Sequence, residues 1–267
     1  MVGRLDGPPR IAQRIPDGSI RRLVGKCLHV GVLDGAELTT PEAGTAQGSV
    51  LSPLLANVYL HYALDLWFEQ DVKPCMDGAV KLIRYADDYI LCFEHERDAR
   101  RVMEVLPKRM AKYGLTLHPD KTRLIPFCRP PHTQQKGKGP GTFDFLGFTL
   151  FWRRSRHGRW VVGCKTRRSR LSRAIKAAQE WCRLNRHKPI AEQHAGLCRK
   201  IRGHFQYFGV NGNTRSLVRL LHQIRPAWHK WLNRRSQRNS LTWERFTDML
   251  RDFPLPPARV YVRIWAR

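Results

Sequence analysis

Two adjacent acids, Asp87 and Asp88, stand in the tetrapeptide Tyr85-Ala86-Asp87-Asp88 between two short apolar runs. Carboxylates are hard oxygen ligands, and a neighbouring pair suits divalent cations such as Mg²⁺. Cations held there would shield a triphosphate and stabilise the attacking and leaving oxygens of phosphoryl transfer between nucleotides. Val80, Leu82 and Ile83 precede the acids, and Tyr89, Ile90, Leu91 and Phe93 follow them. These residue types favour strands, so a hairpin carrying the acids at its tip is expected. Taken alone, an Asp-Asp pair is more often ordinary solvated-turn chemistry, and its context decides between the two.

The elements that must position the pair are legible on both sides. Upstream, Leu23, Val24, Cys27 and Leu28 predict a short helix between Ile20 and Val32, ending near Gly31, and the stretch from Leu33 to Ala46 reads as turn-rich or a hairpin. Pro53 suits the first turn of a helix running towards Phe68, with Leu54, Val58, Ala63 (or His61) and Leu66 expected on its buried side. Downstream, Ala99, Val102, Met103, Leu106 and Met110 recur at helical spacing, with Pro107 expected to kink or restart the helix and Gly114 to stop it. Leu115-Thr116-Leu117 resembles a strand entering a turn at Pro119 to Thr122, and a Pro/Gly/Lys/Gln-rich stretch from Arg129 to Gly141 reads as a surface loop. A strand pattern resumes from Phe143 to Phe151.

Near Lys165 the character changes to helical apolar stripes among dense basic residues. Leu171, Ile175, Ala178 and Cys182 form one stripe, Ile190, Leu197, Ile201, Phe205 and Phe208 a second, and Leu217, Leu220, Leu221, Ile224, Trp228 and Trp231 a third. Such stripes predict a helical bundle core. The chain of 267 residues carries 48 Lys and Arg against 22 Asp and Glu, a formal charge of +26, which points to a polyanionic partner. No run approaches the roughly 18 apolar residues of a spanning helix, so nucleic acid is preferred to a membrane. Arg167, Arg168, Arg170, Arg173, Arg199, Lys200, Arg202, Arg234 and Arg235 are the candidate RNA contacts; the alternative is a solvated basic face. Seven cysteines are scattered without a C-x-x-C pair, which predicts reduced thiols and a cytoplasmic protein, and their spacing matches no common zinc site.

Several segments recur in a meaningful order: Gly44-Thr45-Ala46-Gln47-Gly48 with Ser52-Pro53-Leu54-Leu55, then Tyr85-Ala86-Asp87-Asp88, Gly114-Leu115-Thr116-Leu117 with Lys121-Thr122, and Phe145-Leu146-Gly147-Phe148. Together they resemble the successive palm motifs of reverse transcriptases. The run Arg202-Gly203-His204-Phe205-Gln206-Tyr207-Phe208-Gly209 through Asn213, with Trp228 to Arg238 and Leu241 to Phe246, resembles the maturase or thumb domain of bacterial group II intron-encoded proteins. The resemblance implies an α+β fold: a partial polymerase palm with an antiparallel sheet and packed helices over 1–164, an α-helical RNA-binding thumb over 165–253, and a C-terminal tail over 254–267.

What the resemblance implies for function is RNA-directed DNA polymerase and intron maturase activity, with intron RNA, an RNA template, a DNA primer and dNTP as partners and Mg²⁺ as cofactor. On the matching positions, Asp87 and Asp88 would hold the metal, and Tyr85 and Ala86 would begin the hairpin beside the primer end. Gln47 and Gly48 would line the nucleotide pocket, and Phe145, Leu146 and Gly147 would grip the primer. Lys121 matches a palm lysine near the triphosphate, and a solvated turn lysine is the alternative reading. The family pattern also has an upstream strand with a further metal-binding Asp, which Asp6, Asp17 and Asp34 do not match, and Ala46 stands where Pro is usual. The expectation is therefore a later palm plus thumb that is weakly active alone, completed by a companion N-terminal polypeptide or a second copy. A non-catalytic splicing factor or a decayed fragment are the alternatives.

Overall fold

The computed structural model describes residues 16–28, 32–34, 37–39, 52–130, 141–155, 157–235 and 240–264. Gln47 and Gly48 lie outside the described residues, as does most of the loop expected between Arg129 and Gly141. The fold is α+β, with seven α-helices among the described residues and small antiparallel sheets. It divides into two compact units, Met1–Leu124 and Ile125–Arg267.

In the first unit, α1 (Gly18–Leu28) starts where the Asp17 carboxylate accepts hydrogen bonds from the Ser19 and Ile20 amides at 2.7 and 3.3 Å. Strands β1 (Val32–Asp34) and β2 (Glu37–Thr39) form a short hairpin. Helix α2 (Ser52–Leu60) then runs on through two π-type turns, His61–Asp65 and Phe68–Val72, into a 3₁₀ turn at Lys73–Cys75. The wider turns change which residues face inward. Leu55, Tyr59, Ala63, Leu64, Trp67 and Phe68 are buried, whereas Leu54, expected on the inner face, is 60% exposed. Arg109 donates to the carbonyls of Ala63 and Tyr62 in the first wide turn, at 3.0 and 3.2 Å.

Strands β3 (Val80–Tyr85) and β4 (Asp88–Phe93) pair antiparallel from Val80↔Phe93 to Tyr85↔Asp88. Val80, Leu82, Tyr89, Leu91 and Phe93 turn one face onto the buried cluster of Leu64, Trp67, Phe68, Val102, Leu106 and Met110. Burial pushes the Tyr89 phenol up to about 12. Helix α3 (Glu96–Ala111) carries Pro107 inside its span and does not restart there, because Val102, Leu106 and Met110 hold both halves on one core. Gly114 does take the left-handed conformation, φ 63°, that ends the helix. Leu115 to Leu117 form no strand; Leu115 and Leu117 instead pack as irregular chain against the same core.

The second unit joins a three-stranded antiparallel sheet, β5 (Phe143–Phe145), β6 (Phe148–Arg154) and β7 (Trp160–Thr166), to four helices. These are α4 (Arg168–Leu184), α5 (Ile190–Phe208), α6 (Thr214–Asn233) and α7 (Trp243–Asp252). The three apolar stripes read from the sequence meet in one core around Phe205, Trp228 and Phe246, which are fully buried. Trp228 Nε1–H donates to Gln193 Oε1 at 3.0 Å inside it, and the Gln193 amide donates to the carbonyls of Lys188 and Arg186. Sheet and helices are tied by Asn213, whose side chain bonds Thr166 at the end of β7 and the Phe208 carbonyl at the end of α5. That tie places β5–β7 in the same compact unit as the helices, so the division falls well before Lys165. Beyond α7, Leu255 is buried, and the Tyr261 and Val262 amides donate to the Gly209 carbonyl at 2.6 and 3.1 Å.

Candidate active site

The β3–β4 pairing leaves a two-residue loop, Ala86-Asp87, between the paired Tyr85 and Asp88. Ala86 takes φ 53°, a left-handed conformation that a two-residue hairpin often requires and that glycine usually supplies. An alanine there stores about 1–2 kcal/mol of strain. Tyr85 is two-thirds exposed, and Asp87 and Asp88 are both exposed. Neither carboxylate shares an ion pair with a described residue. Their lone pairs are thus open to an outside ligand. Two adjacent hard-oxygen donors suit Mg²⁺, which is commonly bound through one or two carboxylates together with substrate phosphates. Among the described residues no cluster of three or more His, Cys, Asp or Glu is placed to hold a metal.

Arg84, which the sequence reading did not single out, braces this turn. Its Nε and one terminal nitrogen form a fork onto Asp65 at 2.7 and 2.6 Å, and the other terminal nitrogen reaches Asn57 Oδ1 and the Ala86 carbonyl at 2.8 and 3.0 Å. The signal available in the sequence was only the position, one residue before the tetrapeptide. Its partners Asn57 and Asp65 stand on a helix whose register the wide turns had shifted.

The second unit holds a similar turn. Phe145 pairs with Phe148, and the loop residues Leu146 and Gly147 have φ 48° and 79°. Leu146 and Ala86 are the two non-glycine residues at positive φ among those described. The Leu146 carbonyl accepts a hydrogen bond from the Tyr207 hydroxyl at 2.9 Å, and Phe148 stacks on the Tyr207 ring. The Gly147 carbonyl accepts from the Arg167 amide at 2.9 Å, and a Cβ on Gly147 would sit 3.4 Å from the Phe208 ring. Arg167 also pairs with Asp144 at 3.1 Å, and the Arg170 stem lies beside Gly147. The structure therefore brings Arg167 and Arg170 to the Phe145–Phe148 turn.

The remaining basic candidates, Arg168, Arg173, Arg199, Lys200, Arg202, Arg234 and Arg235, are exposed on or just beyond α4, α5 and α6. Of the nine, Arg167 alone shares an ion pair with a described carboxylate. Lys200 lies over the Trp181 ring, Arg234 over Trp231, and Arg235 donates to the Lys188 carbonyl at 3.2 Å. Lys121 is exposed in a turn whose His118 carbonyl accepts from the Lys121 and Thr122 amides at 3.2 and 3.0 Å. No helix among the described residues is long and apolar enough to cross a membrane.

A family model described as reverse transcriptase (RNA-dependent DNA polymerase) matches residues 11–150, just over half of the chain. Protein YkfC of Escherichia coli (strain K12) is 28% identical over 185 residues, covering 57% of this chain and 44% of YkfC. Group II intron-encoded protein LtrA of Lactococcus lactis subsp. cremoris is 44% identical over 48 residues, 18% of this chain and 8% of LtrA. The matches thus span less than half the length of either relative.

Proposed function

Because the chain belongs to the reverse transcriptase family, we propose that it acts in RNA-directed DNA synthesis and as a maturase for a group II intron. Its substrates would be an RNA template, a DNA primer and dNTP, and its RNA partner the intron, a reading supported by the match to an intron-encoded protein. The observation that carries the proposal is the β3–β4 hairpin, where two unpaired carboxylates sit at a strained, braced tip. Asp87 and Asp88 would hold Mg²⁺, which when bound supplies charge neutralisation at the triphosphate and activates the primer hydroxyl.

Each protein group has a separate task. The hairpin fixes the two carboxylates so that the cation is met by preorganised donors. The Lys121 ammonium, on its exposed turn, is available to the departing pyrophosphate. Gln47 and Gly48 would line the nucleotide pocket, with Tyr85 beside the primer end. Phe145, Leu146 and Gly147 would hold the primer backbone, with Arg167 and Arg170 next to that turn as cationic contacts to phosphate. The basic faces of α4 to α6 would bind intron RNA, where the excess positive charge finds its counter-charge.

The test is Mg²⁺-dependent primer extension by the chain on a primed RNA template. Extension that falls about a hundredfold or more in Asp87→Asn and Asp88→Asn supports the assignment. Extension unchanged in both variants overturns it. A second reading, a non-catalytic RNA-binding splicing factor, draws on the exposed basic residues without acidic partners. It predicts intron RNA binding that Asp87→Asn leaves intact, with no primer extension.

A further inference from the structure

The group that aims the Asp87–Asp88 turn is Arg84. Its side chain is only 14% exposed, and its guanidinium donates to three elements at once. The fork onto Asp65 reaches the first π-type turn, the bond to Asn57 reaches α2, and the bond to the Ala86 carbonyl reaches the strained loop residue itself. Asn57 is in turn oriented, since its amide donates to the Pro53 carbonyl at 3.0 Å and leaves Oδ1 facing Arg84. His61 Nδ1 lies 3.5 Å from the same Asp65 carboxylate. A lysine could not replace this arrangement, because a point ammonium cannot match a planar fork on one side and a carbonyl on the other.

The strand register puts Arg84 beside Tyr89 on the core face of the hairpin, and Asp88 beside Tyr85 on the opposite face. Arg84 therefore acts on the turn from behind, through the Ala86 carbonyl. We propose that Arg84 is a positioning residue for the metal site, holding the Ala86 carbonyl so that Asp87 and Asp88 share one cation, while Asp65 and Asn57 fix the guanidinium in place. The proposal rests on the reading of Asp87 and Asp88 as metal ligands.

The test titrates Mn²⁺, a hard-ligand probe visible by paramagnetic resonance, into the full chain and follows hydrogen exchange at residues 85–88 alongside a thermal melt. Arg84→Lys is expected to weaken Mn²⁺ binding about tenfold or more, as loss of a group that orients metal ligands usually does. Asp65→Asn should weaken it too, with faster exchange at residues 85–88 in both variants. A merely structural brace would instead lower the melting temperature and leave Mn²⁺ binding by the folded variants unchanged. Wild-type Mn²⁺ binding by Arg84→Lys overturns the proposal while Asp87→Asn still abolishes binding. If Asp87→Asn binds Mn²⁺ like the wild type, it is the metal assignment that falls. Should Arg84→Lys fail to fold, Asp65→Asn and Asn57→Ala carry the test, and wild-type Mn²⁺ binding by either folded variant overturns the proposal.

Discussion

Replacing Asn213 with alanine removes a small polar side chain, and the structure makes that loss expensive. Asn213 is 1% exposed, and Thr166, its main partner, is 4% exposed. Asn213 Oδ1 accepts from the Thr166 amide, and Nδ2 donates to Thr166 Oγ1 and to the Phe208 carbonyl, each at 2.8 Å. The Phe208 carbonyl keeps a second bond, from the Val210 amide, and the threonine hydroxyl can rotate. The Thr166 N–H cannot move, so it is stranded in a dry site. A stranded buried donor costs about 1–3 kcal/mol and two further lost bonds about 0.5–1 kcal/mol each, so Asn213→Ala should lose about 2–5 kcal/mol. Urea unfolding followed by tryptophan fluorescence reads this well, since every tryptophan but Trp67 lies in the second unit. Thr166→Val removes one partner of the same network, so the double variant should lose less than the sum of the single ones. A loss below about 0.5 kcal/mol for Asn213→Ala, or strict additivity with Thr166→Val, would refute the reasoning.

Three further outcomes are expected. Tyr207→Phe deletes the hydroxyl that holds the left-handed Leu146 and should cost about 0.5–1 kcal/mol, because Tyr207 is 55% exposed and water partly replaces it; faster hydrogen exchange confined to residues 145–148 is the matching readout, and unchanged exchange there would count against the brace. Arg199→Ala/Arg202→Ala should lower the slope of log binding constant against log salt for intron RNA by about 1.5 if both contact phosphate; an unchanged slope removes them from the interface. Burial holds the His204 imidazole down to about 4, with Nε2 buried and without a partner, whereas an unfolded histidine titrates near 6.5. The native state therefore binds fewer protons, its stability is full above about pH 6.5 and is lost as pH falls towards about 4, by about 1–2 kcal/mol after allowance for partial exposure. Subtracting the stability profile of His204→Gln from that of the wild type should expose this drop, and a flat difference would refute it.

The sequence carried different parts of this molecule with different force. The hairpin at Asp87-Asp88 was legible because strand residues flank it at period two and the acids sit where only a turn fits. The stripes on α4, α5 and α6 were legible because one helical period runs through each without interruption. The buried face of the helix from Ser52 was misread at Leu54, since two wide turns break the 3.6-residue period on which such a reading depends. Pro107 does not restart the helix, because a core grips it on both sides of that residue. Leu115 and Leu117 have strand-like identities, yet they pack singly after a left-handed glycine, with no neighbouring strand to pair with among the described residues. At the candidate site, the acids announce themselves by type, whereas Arg84, Asp65 and Asn57 become one group only when residues 19 and 27 positions apart are folded together.

The two wide turns in the helix from Ser52 to Cys75 also bear on how this protein can tolerate changes in length. A π-type turn holds one residue more than α geometry needs, so it behaves as an insertion that the helix has absorbed without shifting either flank. Deleting Tyr62, the residue of this turn's interior that is not fully buried, should then leave Leu55, Leu64 and Phe68 on their buried faces and the core intact. What the deletion would take away is the offset that sets Asp65 opposite Arg84 and the Tyr62 and Ala63 carbonyls opposite Arg109. The surplus residue is thus dispensable to the fold and indispensable to the brace, and single-residue deletions along this helix would separate the two.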